Sequence, residues 1–491
     1  MQSKHQFSNL VYEYFFMRIQ FRYYKYGDYL PSIDTLCQEF SVSSQTVKMA
    51  LQRLRAEGYI DMHNGRSTKI IFQQTQENAE QLLLQYFSMR VDSFRDLYDS
   101  THLVIMPLLM EGFRRSAKED LAYLARLADG TSTDDVLHFF CFVLQKMDNP
   151  LAMNLYWETS LFWGLLFLKQ DPEKDLSDVE RMHEEMRRCV SYAENGDWDL
   201  LHEELQIFRQ DSVGNAVSLL KQAVTPAPQE EQVPFEWRIY RGRPQVCYSL
   251  ASKLLHEIYM GRFRNTQLLP SYKKLAEEYC VSVSTVRRTI KILHQLGAVR
   301  PINGKGIHVF GAGACCDTPD FSSPVVRRSI AYFVQSFELL AYSIQPVMKY
   351  ILTGITDEER DSLIHELEAH LHTGRQELAL WCCLLFVHRH SRLNGIREIY
   401  GRIYSLFQWG YPLKGSSGGT PELDEAMHHF TVVMLQGLKE HNIDRCGNAI
   451  KELVSGQFPA AEQYLLRHGI GQSELRLTPA IRLLVTSEDA D

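Results

Sequence analysis

No stretch of this 491-residue chain is apolar for long enough to cross a bilayer. Its most hydrophobic segment, from Leu155, is interrupted by Glu158, and the clean run from Leu161 to Leu168 falls well short of the roughly 20 residues a spanning helix needs. The first residues include Lys4 and His5 but no apolar run ending in a small-residue cleavage site, so no secretory signal is expected. The cysteines are scattered without metal-ligand spacing, and the adjacent pairs Cys315-Cys316 and Cys382-Cys383 are not a disulfide framework. A reducing cytoplasm is therefore the expected compartment. No glycine-rich phosphate loop follows a strand, and Gly415 to Thr420 reads as a flexible loop. The alternation of strand and helix that a fused aminotransferase-like domain requires is missing too. An enzyme is not expected, nor is a cofactor.

What the chain does have is a repeat. Leu30, Pro31, Ser32, Leu36, Glu39, Val42, Ser43, Thr46, Val47, Leu54, Gly58, Asn64 and Gly65 recur 239 positions later as Leu269, Pro270, Ser271, Leu275, Glu278, Val281, Ser282, Thr285, Val286, Leu293, Gly297, Asn303 and Gly304. Chance does not hold one register through so many positions, so the two segments are copies of one unit.

Each copy reads as helix, turn, helix and two-stranded wing. Ser32 and Ser271 cap a short helix ending near Phe40 and Tyr279; Ser43 and Ser282 cap the next. In that second helix Val47, Leu51 and Leu54, or Val286, Ile290 and Leu293, fall on one face at helical spacing. The opposite face offers Gln45, Lys48 and Gln52 in the first copy, and Ser284, Arg287, Arg288 and Lys291 in the second. Asn64-Gly65 and Asn303-Gly304 suit a tight hairpin, with Arg66 and Lys305 at the wing tips. This is the grammar of a winged helix-turn-helix that reads double-stranded DNA. Charge agrees. Residues 1–72 carry nine Lys/Arg against six Asp/Glu and residues 245–310 carry ten against three, within a chain of net charge −8. Basic heads on an acidic body concentrate positive potential where phosphate must bind.

Between and after the heads, long periodic stretches read as all-helical, each with an interior proline, Pro107 and Pro346, at the same offset. Ser116 with Glu119, and Thr356 with Glu359, fit capping boxes for the following helix. The expected fold class is mainly α: two winged helix-turn-helix domains with short β-hairpin wings, alternating with two all-helical bundles. The expected boundaries are 1–75 and 245–311 for the heads, 76–224 and 323–491 for the bundles, and 225–244 and 312–322 for linkers. TPAPQEEQVP, from Thr225 to Pro234, is the clearest linker.

The LPS segment, the VSxxTV turn and the glycine-tipped wing of each head together resemble the GntR superfamily of bacterial transcription regulators. That family usually carries an arginine just after the VS pair and another after LPS. Here those positions are Ser44 and Asp34 in the first head and Val283 and Lys273 in the second, so the contacts of those arginines do not carry over, least of all to the first head. Lys48 and Arg287 match the basic position after TV. The helical regions resemble the effector domain of the FadR-type branch, through the early-helix proline and the segments DDVLHFFCFVLQKMDNPLAMNLY and ENGDWDLLHEELQIF.

In that branch an aspartate, a histidine four residues on and two later histidines hold a metal that helps to bind a carboxylate. Asp134 and His138 have the first spacing, but the later histidines fall out of place, with His183 about one turn early. Asp134, His138 and His183 are thus candidates for an effector pocket, while a divalent metal there is the disfavoured alternative. The resemblance implies a DNA-binding regulator with a small organic-acid or sugar-acid effector, working as a pseudo-dimeric monomer or a homodimer. A protein-interaction adaptor with degenerate heads is the alternative, followed by a metal- or cofactor-dependent enzyme.

Overall fold

The computed structural model describes residues 2–40, 42–63, 66–131, 133–164, 176–239, 246–263, 265–310, 318–410, 412–413 and 421–475. In the first head, α1 (Gln2–Gln20) is followed by α2 (Ile33–Phe40), α3 (Ser44–Ala56), β1 (Ile60–Asp61) and β2 (Lys69–Ile70). The Thr46 amide donates to the Ser43 hydroxyl at 3.3 Å and opens α3, as serine at an N-cap should. Val47, Leu51 and Leu54 are completely buried. At about 1.5–3 kcal/mol each, these three side chains fix which face of the helix turns inward.

Sequence reasoning missed most of α1. It supplies the other half of that core, with Val11, Phe15 and Ile19 buried, and it packs along α3. The second head repeats the plan in α12 (Val246–Tyr259), β3 (Leu268–Leu269), α13 (Tyr272–Glu278), α14 (Val283–Gln295), β4 (Val299–Ile302) and β5 (Gly306–Val309). Leu250, Leu254 and Ile258 of α12 stand 239 positions after the buried residues of α1. Apolarity is repeated there, with identity kept at Ile19 and Ile258 but not at the other two positions.

The wings preserve the repeat at the level of single pairs. Ile60 faces Ile70 and Asp61 faces Lys69 in the first; Val299 faces Val309 and Arg300 faces His308 in the second. Leu268 pairs His308 in the three-stranded second wing, and at the same offset the first retains a lone bridge between Tyr29 and Lys69. Gly58 and Gly297 both sit at φ +82° as the recognition helix ends, a conformation that costs glycine nothing. Asn64-Gly65 lies outside the described residues; Gly304 turns its hairpin at φ +74°.

The chain divides into two compact units, one holding Met1–Gly242 and the other Arg243–Arg392 with Ile396–Arg476. In the first, α4 (Gln76–Ser88), α5 (Val91–Arg114), α6 (Lys118–Ala128), α7 (Thr133–Gln145), α8 (Pro150–Trp163), α9 (Leu176–Asn195), α10 (Trp198–Arg209) and α11 (Asn215–Ala223) form the helical domain. Trp157 of α8 joins it to the head, its ring stacked on Phe40 at 5.2 Å and edge-on to Tyr14 at 6.0 Å.

Residues 225–239 do not behave as a free linker. Apart from one 3-10 turn at Gln229–Glu231 they are irregular, yet Ala227 N–H donates to Ser88 O (2.9 Å) and Val233 N–H to Met89 O (2.7 Å). Trp237 is fully buried with its indole N–H on Asn154 Oδ1 at 2.7 Å. The segment is a strap laid over the helical domain.

In the second unit, α15 (Pro324–Gly354), α16 (Asp357–His372), α17 (Ala379–His390), α18 (Asn394–Phe407), α19 (Pro421–Lys439), α20 (Ile443–Arg467) and α21 (Gln472–Leu475) follow the head. Thr356 and Glu359 close a capping box at α16, with bonds of 3.2 and 2.9 Å. The expected Ser116–Glu119 box does not form. The N-cap is Ala117, whose amide donates to Asp120 at 2.8 Å, while the Ser116 hydroxyl turns back to the Gly112 carbonyl. One residue of displacement replaces a reciprocal cap by half of one, because alanine has no side-chain acceptor.

Candidate nucleic-acid interface

Burying the apolar faces of α3 and α14 leaves their polar faces outward. In the first head Gln45, Lys48 and Gln52 on α3 and Arg66 in the wing are exposed. In the second, Ser284, Arg287, Arg288 and Lys291 on α14, Lys273 on α13 and Lys305 in the wing turn are exposed as well. All ten side chains named from the sequence therefore reach solvent from a helix face or a wing, where a duplex can be met. Lys273 has Glu277 at 4.0 Å. Arg287, Arg288, Lys291 and Lys305 have no ion pair among the described residues, so their charge is not neutralised within the head.

The first head spends its basic residues differently. Arg53 stacks on the Tyr12 ring at 3.6 Å and donates to Glu57 at 3.0 Å, while the Tyr12 hydroxyl donates to the other Glu57 oxygen at 2.5 Å. Burial opposes the charge on Glu57, but the bonds from Tyr12 and Arg53 outweigh it and hold the carboxyl below its usual range. At the equivalent positions the second head has buried Ile292 and Leu296. Arg53 thus serves its own head's packing. Behind α3, burial pushes the Cys37 thiol up to about 11, with Asp34 adding to the shift and Lys48 opposing it. This sulfur is an inert core atom.

Each head is bound to its own helical domain. In the first unit the Arg238 guanidinium bridges Glu13 of α1 and buried Glu158 of α8 at 3.2 and 3.0 Å. Beside them lies a cavity of about 270 Å³ lined by Glu13, Tyr86, Arg90, Phe162, Phe235 and Arg238. In the second unit, His256 Nδ1 of α12 meets the Tyr404 hydroxyl at 2.7 Å, Trp409 donates to Ser252 at 3.0 Å, and Arg375 donates to the Tyr259 carbonyl at 2.8 Å.

Of the three pocket candidates, His138 is half-buried on α7 and His183 is buried on α9, with Nδ1 3.2 Å from the Ala128 carbonyl oxygen. The Asp134 side chain lies outside the described residues. Among the other histidines noted in the sequence, His388 and His390 are held by the Arg397 carbonyl and Glu359, and His428 and His429 are exposed. No helix among the described residues is long and apolar enough to cross a membrane.

Residues 7–70 and 249–309 each match the model of the family described as bacterial regulatory proteins, gntR family. No curated protein matches the chain. Among solved structures it is similar to a GntR protein of Streptococcus agalactiae (17% identity, TM-score 0.21, covering 44% of this chain and 99% of that one). It is also similar to McbR/YncC of E. coli (14% identity, TM-score 0.24, covering 45% and 99%). Likenesses this loose bear on neither site nor function.

Proposed function

We propose that this chain, both of whose heads belong to the gntR family of bacterial regulatory proteins, is a transcription regulator that reads one operator through two unequal heads. The observation that carries the reading is the pairing of a buried apolar face with an exposed polar face on α3 and α14, repeated pair for pair at one offset. Helices presented in this way enter the major groove, where Arg287, Arg288 and Lys291 meet phosphates or guanine edges.

The helical domains are where a small organic acid or sugar acid acts. Asp134, His138 and His183 are the candidates that the family resemblance supplies, and the charged cavity between α1, α4, α8 and the strap is a second place of suitable size. An acid that binds one arrangement of head and domain better than another shifts DNA affinity by that difference, and by no more.

The test is a gel shift with footprinting on genomic fragments at moderate salt. Retention of discrete fragments with protected sites is expected. If no fragment is retained even at low salt, the heads are interaction modules and the adaptor reading replaces this one.

A further inference from the structure

We propose that Glu366, His370 and Cys382 form a binding site for one divalent transition-metal ion, with zinc as the preferred occupant, in the second helical domain. The site is built from the chain upward. Glu366 and His370 are four residues apart on α16, which places both side chains on one face. The adjoining helix α17 brings Cys382, in its first turn, against that face. One ligand atom from each of the three residues lies within 4.8 Å of the other two.

A carboxylate oxygen, an imidazole nitrogen and a sulfur make up a mixed donor set that suits zinc or cobalt and is wrong for magnesium or calcium, which take oxygen alone. Bonds of about 2.0–2.3 Å around a tetrahedral ion place the donors roughly 3.5 Å apart. The observed spacing therefore needs only a small contraction, which two side chains on one helix and a third in contact with it can make by rotation.

A second observation points the same way. Nε2 of His370 is closed off from solvent and has no hydrogen-bond partner among the described residues. A buried ring nitrogen left in that state is unfavourable, and a bond to a metal removes the penalty. Sequence reading passed over this trio because Cys382 was weighed with Cys383, as half of an adjacent pair, and not with the Glu-x-x-x-His spacing twelve residues earlier. The trio is also separate from Asp134, His138 and His183, which lie in the other unit. Three protein donors leave a tetrahedral ion one position for water or an exogenous ligand.

The test uses the full chain under reducing conditions, stripped with chelator and titrated with Co²⁺. The expected result is about one cobalt per chain, with the intense visible bands of a tetrahedral centre, a near-ultraviolet thiolate-to-cobalt charge-transfer band, and displacement of both by zinc. Cys382→Ser should abolish the charge-transfer band. His370→Ala and Glu366→Gln should each weaken binding at least about tenfold. Cys280→Ser removes an exposed cysteine and should change nothing.

Circular dichroism establishes that each variant is folded. Because Cys382 is buried, Glu366→Gln, on a half-exposed residue, decides the matter if the cysteine variant fails to fold. Absence of the charge-transfer band in the wild-type chain overturns the proposal. So does a band that survives Cys382→Ser, or an affinity unmoved by both His370→Ala and Glu366→Gln.

Discussion

Arg287 and Arg53 are both surface arginines on a recognition helix, and the structure gives them opposite work. Arg287 stands unpaired on the polar face of α14, whereas Arg53 is engaged by Tyr12 and Glu57. Each phosphate neutralised contributes roughly −0.9 to the slope of log affinity against log salt. Arg287→Ala should therefore flatten that slope by about 0.9 while leaving stability within about 0.5 kcal/mol of wild type. Arg53→Ala should do the reverse, costing about 1 kcal/mol through its lost stacking and leaving the slope unchanged. Thermal melts and salt-dependent binding of the two variants separate these outcomes. The polar face was legible in the sequence because helical spacing alone decides which residues face outward. The Arg53 contact was not, since it depends on α1 lying across α3.

Glu185 supplies the residue-scale pH dependence. Burial, with Asp211 nearby adding to it, pushes its carboxyl up to about 7, and the Arg181 guanidinium at 4.0 Å only partly compensates. A folded-state value above the unfolded one means that the native state holds the extra proton. The carboxyl's contribution is thus fully present below the ordinary value near 4.5 and is lost as pH rises through about 7. Glu185→Gln, which cannot ionise, should be more stable than wild type at about pH 8, by on the order of 1 kcal/mol, and should lose most of that advantage by about pH 5. An unchanged difference between the two melting curves across that range would contradict the assignment.

At the scale of elements, helix ends provide the sharpest test. Thr356 and Glu359 satisfy two amides reciprocally at the start of α16, while Ser116 caps nothing at the start of α6. Thr356→Ala should cost about 1 kcal/mol in chemical denaturation, and Ser116→Ala less than about half of that. The sequence made both sites look alike because the S/T-x-x-E pattern cannot say which residue leaves helical geometry first. It was more informative about the wings, where turn dipeptides and the repeat pointed to a hairpin in each head, although the pairing of Ile302 with Gly306 makes the second turn one residue longer than Asn303-Gly304 alone. It was least informative about residues 225–239, whose composition describes a linker while Phe235, Trp237 and Ile239 are buried. Composition reports what a segment cannot form by itself, not what a neighbouring surface offers it.

For the whole molecule, duplication is the governing fact, and the sequence displayed it directly. The two copies have since diverged in charge, and the divergence exceeds what counting residues suggested. Once Arg53 is assigned to packing, Lys48 and Arg55 are the cations left on the outward face of α3, with Gln45 and Gln52 beside them, against Arg287, Arg288 and Lys291 on α14. Replacing Arg287, Arg288 and Lys291 by alanine should flatten the salt slope by up to about 2.7, whereas replacing Gln45, Lys48 and Gln52 should flatten it by about 0.9. Both triple variants should fold, since every substituted side chain is exposed. Any of the second head's three that meets a guanine edge adds roughly 1–3 kcal/mol of discrimination, so its loss should relax sequence preference in one half-site only. Two heads in one polypeptide can serve such an unlike pair of half-sites as a monomer, and light scattering should then give a mass near 56.9 kDa for the free protein. A mass twice that value, equal slopes for the two triple variants and a perfectly palindromic footprint would together describe a different regulator, a homodimer in which one head of each chain does all the reading.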